Sequence, residues 1–511
     1  MTQAQRKQRF IIVGGGTAGW MAANLLAHRW ADKPIEICLV ESPAIGTIGV
    51  GEGSTPTLAR FFRDLNIAER DWMPACKATY KVSIRFEGWS PATNIESYAH
   101  PFLSQLDTFS ERAFQVNCRT RRLGLDVTTA PEQFLFNGWL ANRGLAPTTP
   151  ANFPFRIEYG YHFDAGLLGE FLREKATSMG VTHYARDVER VGQHEDGRIS
   201  DITLAANNDS PQERLSGDFF IDCSGFRGLL IQQTLGVSFR SFDKNLFNDA
   251  AVALPTMRES DPSVETRATA LSNGWMWQIP LSHRTGNGYV YSSRYVSEDE
   301  AEYELRERLG LLDSDVEARH LKMRVGQVET HWHKNCLALG LSQGFIEPLE
   351  ATALHLVQTS AEIFMDHYEE QGFSDAEVDS TQKAAYNKII TNRFERVRDY
   401  IVAHYKMNTR DDSEYWRDNR ENNVLSESVR QLLDVWYRGG DLGAEIRRQD
   451  LDSHFGSSSW HCLLAGYGVF PALAPEQPGR GDLFVAHEIG PLFEGCCMNF
   501  VTQTEALANL C

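Results

Sequence analysis

Apolar and polar positions follow two rhythms along this chain. Phe10–Val13 is a short apolar run that stops at Gly14-Gly15-Gly16, Trp20–Arg29 has helical spacing, and Ile35–Val40 is a second apolar run ending at Glu41. Short apolar runs bordered by glycine predict buried strands, with Gly14–Gly19 a tight turn and Trp20–Arg29 a helix. Tyr161–Asp187 predicts a strand, a helix over Gly166–Gly180 and another strand. Phe219–Cys223, Trp275–Pro280, Tyr289–Tyr295 and Asn335–Leu339 predict further strands, the last leading into a long helix from about Ala351. Beyond residue 360 the rhythm is helical. Tyr386, Ile390, Phe394, Val397, Ile401 and Tyr405 recur every three or four residues, which predicts one core-facing stripe. Arg438–Gly443 is a glycine-rich bend in that region, and no internal repeat occurs.

Composition narrows the classes. The 511 residues suffice for two to four domains, and 42% apolar with 23% charged residues is ordinary for a globular protein. Fifty basic against 68 acidic side chains leave a net charge of −18, which repels phosphate backbones and anionic bilayers and argues against nucleic acid or membrane as partner. Nine scattered cysteines contain no CxxC pair, so neither a disulfide framework nor a metal site is expected. The basic start and apolar Phe10–Val13 loosely imitate a signal peptide, but the glycines interrupt it, and a cytoplasmic protein is expected.

Those glycines form a GxGxxG fingerprint between a strand and a helix, Gly14-Gly15-Gly16-Thr17-Ala18-Gly19. Gly14 permits the turn, Gly16 admits a pyrophosphate, and Gly19 lets the helix pack on the strand, while free N–H groups around Thr17 and Ala18 meet phosphate charge. Glu41 stands 22 residues after Gly19, where a carboxylate accepts from a ribose hydroxyl. Phe219–Gly225 and Asn335–Leu341, apolar strands ending in small residues, resemble FAD monooxygenases and favour FAD over NAD.

Three segments go further and resemble the flavin-dependent tryptophan halogenases. Trp275-Met276-Trp277-Gln278-Ile279-Pro280 matches that family's WxWxIP motif, and on a strand Trp275, Trp277 and Ile279 share one face ahead of Pro280. Phe345–Ala353 resembles the family's FxxPLEST-G loop, with Ala351 for serine and Ala353 for glycine. Ala78–Phe86 resembles the strand bearing the family's catalytic lysine, here Lys81, and Gly49–Pro56 the flavin-covering loop, which adds Val50, Gly51 and Glu52 to the cofactor contacts. The resemblance also implies flavin contacts at Leu341, Leu354 and Val188, the last where Asp187-Val188 is expected to end a strand and a family valine touches the adenine through its backbone.

The resemblance implies a Rossmann-like α/β (α+β) fold of the FAD monooxygenase type with an added sheet. A flavin module would span 1–360, its FAD core drawn from 8–60, 160–235 and 330–360, with a helical substrate module at 361–511. It also implies FAD used in reduced form, supplied by a separate NADH-dependent flavin reductase, with oxygen and bromide or chloride giving hypohalous acid. Lys81 would relay the halogen to an electron-rich aromatic ring, and Glu350 would stabilise the cationic ring or take its proton. Halide would rest on the backbone N–H groups of Thr352 and Ala353. His100 and Phe102, in a turn, would sandwich the substrate, with Phe455 and Trp460 nearby; a homodimer is allowed. The alternative is an FAD-dependent aromatic hydroxylase. Gly456 stands where tryptophan-specific members place a tryptophan, and Glu445, Arg447 and Arg448 come without a neighbouring tyrosine, Tyr437 being the nearest. Free indole, or a decorated, uncharged indole, is therefore expected to be a better substrate than L-tryptophan.

Overall fold

The protein is described by a computed structural model covering residues 6–44, 46, 51–208, 210–370, 372–373, 380–452, 454–477 and 481–510. The strand Gln8–Val13 lies at the centre of a six-stranded sheet ordered Trp332–His333, Cys336–Ala338, Phe219–Asp222, Gln8–Val13, Ile35–Glu41, Thr182–Ala185. All neighbours are parallel except the edge pair, with Ile12 opposite Leu39 and Ile221. The all-apolar runs follow from this, because parallel strands covered on both faces have no solvated side. Helix Thr17–Arg29 starts earlier than its pattern suggests and takes in Gly19. It is tied to helix Ala165–Ser178 by Asn24 Nδ2, which donates to Leu172 O at 2.8 Å.

A seven-stranded sheet is added, ordered Arg319–Lys322, Ala250–Met257, Arg284–Tyr291, Gly274–Pro280, Glu265–Leu271, Ser83–Ser90, Ile95–Pro101. A third sheet of Gly51–Gly53, Gly160–Asp164 and Thr79–Lys81 lies beside it. Several sequence boundaries move. The strand predicted over Tyr289–Tyr295 ends at Tyr291, where a turn closes from Tyr295 N–H to Ser292 O. Ala78–Phe86 is not one strand: the chain leaves the small sheet at Lys81, donates Val82 N–H to Val264 O, and enters the large sheet at Ser83. Asp187-Val188 does not end a strand; Val188 begins Val188–Gln193. The helix expected from about Ala351 is Ala353–Glu369, because Ala351 has φ +53° and closes the short turn Pro348–Glu350 first.

Helix Ser380–Met407 carries the predicted stripe, and all six of its residues are buried. The helix Glu427–Tyr437 ends at the glycine-rich bend, with Gly439 at φ +71°. Residues from Phe10 to Ala506 join one hydrophobic cluster. No helix among the described residues is long and apolar enough to cross a membrane.

Candidate active site

The carboxyl ends of the parallel strands meet the glycine turn. Gly14 has φ +117°, and a Cβ there would lie 2.1 Å from Cys223 O, so only glycine fits. A Cβ on Gly16 would meet nothing within 4 Å, and the helix that follows has no side-chain cap. An uncapped helix start facing open space fits a dinucleotide pyrophosphate, with the N–H groups of Thr17 and Ala18 as donors. Glu41 ends its strand with one carboxylate oxygen over Gly15 and the other 2.7 Å from His183 Nε2. Gly340, at φ +67°, brings the Leu341 turn against Ala18, and Leu354 is buried in the first turn of the next helix. Val188 packs on the cluster that includes Val13 and Val40. Gly51 backs onto Ile279, and burial, then Asp164, pushes the Glu52 carboxyl up to about 7. Val50 lies outside the described residues.

Lys81 is fully buried at the end of its strand, and its amine has no hydrogen-bond partner. It faces Gly53 on one side and lies 5.5 Å from the centre of the Phe102 ring on another. Burial lowers Lys81 to about 7, with the charge of Glu350 opposing the fall. Behind it, the single proton of Thr79 Oγ1 goes to Pro280 O at 2.7 Å, so His162 Nδ1–H must donate to Thr79. His162 Nε2 is then an acceptor for the Thr266 hydroxyl at 2.9 Å. Burial, then the Lys81 charge, holds His162 well below its usual value, so a neutral ring stands beside the amine. The backbone of the same strand is latched from far away: Tyr80 N–H donates to Gln503 Oε1 at 2.9 Å.

Glu350 is the second ionisable centre. His100 Nδ1 lies 3.1 Å from both carboxylate oxygens, and His404 Nε2 donates to Oε1 at 3.0 Å. Burial alone raises Glu350, but the charge and hydrogen bonds of His100 and then His404 outweigh it and bring the carboxyl to about 2. Burial lowers His404 against the pull of Glu350, and its Nδ1 lies 3.1 Å from the Tyr467 hydroxyl. His100 is not in a turn; it ends a sheet strand, which fixes its ring against Glu350.

A cavity of about 240 Å³ opens over these groups, lined by His100, Phe102, Glu350, Thr352 and Phe455 among others. Ala353 opens a helix with helical backbone, so its N–H has no acceptor within that helix. Phe455 stacks on Tyr400 at 3.8 Å, whereas Trp460 is buried edge-on behind Tyr400 and does not line the cavity. The placement expected for Trp460 fails because helix Ser457–Gly466 turns that side chain into the core. Trp275 Nε1 donates to Glu347 Oε2, which also accepts from Asn248 and Tyr405, so the tryptophan pins the loop that bears Glu350. Trp277 fits against Gly288, where a Cβ would come within 2.1 Å of its ring.

The sequence model of the tryptophan halogenase family matches residues 9–478. The chain belongs to the tryptophan halogenase family. The 7-chloro-L-tryptophan 6-halogenase KtzR of Kutzneria sp. (strain 744) is 39% identical over 450 residues, 83% of this chain and 84% of that one. The tryptophan 6-halogenase SttH of Streptomyces toxytricini is 36% identical over 510 residues, 93% of each. Among solved structures, Xcc4156, a flavin-dependent halogenase from Xanthomonas campestris, superposes with TM-score 0.84 at 34% identity over 99% of both chains. This tryptophan halogenase is thus a flavin-dependent enzyme of the oxidoreductase class, in a family that uses reduced FAD from a separate flavin reductase, halide and a small aromatic substrate. A hydroxylase is not favoured.

Sequence reasoning missed His404, His162 and Thr266. His404 could have been found, since it lies three residues after Ile401 and four after Tyr400 on the buried face of its helix. Nothing local marks His162 or Thr266.

Proposed function

We propose that this halogenase transfers bromide- or chloride-derived halogen to an indole-type ring, with Lys81 as the relay and Glu350 as the countercharge. The observation that carries this reading is the unpartnered, buried Lys81 amine 5.5 Å from the ring of Phe102, a residue that lines the cavity together with Glu350. Reduced FAD, when bound, supplies hypohalous acid from oxygen and halide. A neutral lysine nitrogen has a free electron pair for that oxidant, and an amine brought to about 7 is neutral in half the molecules at that pH. N-halogenation releases water; the ring carbon then takes the halogen and loses its proton. A carboxylate held at about 2 is ionised when the cationic ring forms, so Glu350 stabilises that ring by charge or takes its proton. The N–H groups of Thr352 and Ala353 are the proposed halide cradle.

The proposed ring is an indole without an amino-acid grip. Tyr437 is exposed, Glu445 is spent on Arg448 and Gln449, and among the described residues neither Tyr437, Glu445, Arg447 nor Arg448 lines the cavity. Residues 1–360 are the proposed flavin module and 361–511 the substrate module, on the support that Phe455 and Ser459 line the cavity. A reducing cytoplasm is the proposed compartment, since all eight cysteines among the described residues are free thiols.

The test is mass spectrometry of indole incubated with enzyme, FAD, a flavin reductase, NADH and bromide or chloride. Halo-indole that disappears in Lys81→Met supports the reading; hydroxylated indole without halogen, or unchanged yield in that variant, overturns it.

A further inference from the structure

The cavity has a polar wall that the proposed chemistry does not use. It is built by Thr55 and Thr57, by His355 in the first turn of helix Ala353–Glu369, and by His454, which directly precedes Phe455. The two imidazoles meet edge to face with centroids 4.5 Å apart. His355 Nε2 and His454 Nδ1 are buried and have no hydrogen-bond partner, although both rings line the cavity. Buried polar atoms are almost always satisfied, so two orphans on one cavity wall point to a ligand as the missing partner.

Their chemistry can be specified. His355 Nδ1 lies 3.3 Å from Thr57 Oγ1, which lies 2.8 Å from Thr55 Oγ1. If hydroxyl protons run from Thr55 to Thr57 to the ring, His355 carries its hydrogen on the orphaned Nε2, and that atom is a donor. His454 can place its hydrogen on Nδ1 by choice of tautomer. Arg393 adds positive charge close enough to act on both rings and Arg60 on His355, opposed by Glu362, which binds Arg60 at 2.6 Å. The exposed Asp452 lies near Gly456, and Glu111 is occupied by Ser458. Burial is the largest influence lowering both rings, followed by Arg393 and Arg60 for His355 and by His355 and Arg393 for His454. Two donors in a positive field suit an acceptor with two oxygens. A cationic group finds no partner: Glu350 is the only acidic residue lining the cavity among the described residues, and both its oxygens are taken by histidines.

We propose that His355 and His454 form a carboxylate subsite, so that the preferred substrate is an indole whose side chain ends in a carboxylate and bears no ammonium. The proposal rests on the indole reading above and deepens it. Indole-3-acetate, indole and tryptamine serve as anionic, neutral and cationic probes, first by calorimetric binding to the enzyme without flavin, then by kcat/KM in the reductase-coupled assay. Indole-3-acetate is expected to bind at least about tenfold more tightly than either other probe. His355→Phe and His454→Phe are each expected to cut the acetate-to-indole ratio of affinities about tenfold, with His355→Gln, which keeps an N–H donor, recovering part of it. Equal affinity for the three probes, or unchanged ratios in both phenylalanine variants, overturns the subsite. If indole-3-acetate binds selectively but no probe is halogenated, the subsite stands and the indole reading falls. If indole is halogenated with no preference for the anion, the indole reading stands and the subsite falls.

Discussion

Replacing Lys81 by methionine should inactivate the enzyme and stabilise its fold. Unfolded, the lysine holds its proton up to the usual 10.5; folded, it releases it near 7. Below about 7 the native state must carry an ammonium with no partner, between 7 and 10.5 folding must expel a proton, and above 10.5 neither state is charged. The destabilisation is therefore full below 7, shrinks as pH rises, and vanishes above 10.5. At ~1.4 kcal/mol per pH unit the gap is worth up to about 5 kcal/mol. The side chain is 0% exposed, so solvent does little to screen it. Methionine fills a similar volume without the charge. For a chain of 511 residues the unfolding entropy is about 1 kcal/mol per K, so the variant should melt roughly 4 to 5 °C higher at pH 6.5 and match the parent near pH 10.5. Halogenated product should fall by at least ~10³-fold, the scale of losing a covalent relay. Differential scanning calorimetry across pH 6–10.5, beside product assays, checks both. A variant that melts lower at neutral pH, or a difference that does not shrink with pH, would refute the account of a buried, unpaired amine.

Three further outcomes follow from the same geometry. Product formation per reduced flavin should rise with pH through about 7 as Lys81 loses its proton, and the rise should move to lower pH in Glu350→Gln, which removes the charge holding the proton on; a pH profile of coupling efficiency reads this. Gly14→Ala should destabilise the fold by more than about 2 kcal/mol through its clash with Cys223 O and its positive φ, while Gly16→Ala should melt normally and bind FAD at least ~10-fold more weakly, as thermal shift and flavin titration will show. Bromination should outpace chlorination at equal halide, and Ala353→Gly should raise chlorination relative to bromination if the methyl crowds the cradle; competition assays with both halides decide it.

What could be read from the sequence was what local chemistry dictates. The glycine turn, the parallel strands and the stripe on Ser380–Met407 follow from neighbours a few residues apart, and the WxWxIP and FxxPLE segments identified the family. The surroundings of the charged pair were not legible. Glu350 takes its donors from His100, 250 residues away, and His404, 54 residues away, and no local pattern encodes such meetings. The break at Val82 was hidden because apolar alternation continues through it; only the sheet partner changes. Trp460 misled for a related reason. Its neighbours Phe455 and Ser459 do face the cavity, but helical geometry rotates the next position away.

The latch from Gln503 to the Lys81 strand has a consequence for the making of the protein. Tyr80 and Gln503 are 423 positions apart, so at bacterial-like translation speeds the strand emerges about 20 to 80 s before its clasp is synthesised. Gln503 also donates to Pro262 O and Ser263 O, which hold the neighbouring strand. A nascent chain can thus bury its flavin strands early while the lysine strand waits, unfastened, for the last helix. The Lys81 amine is set in place at the end of synthesis, and an unfinished chain lacks the clasp that holds its strand.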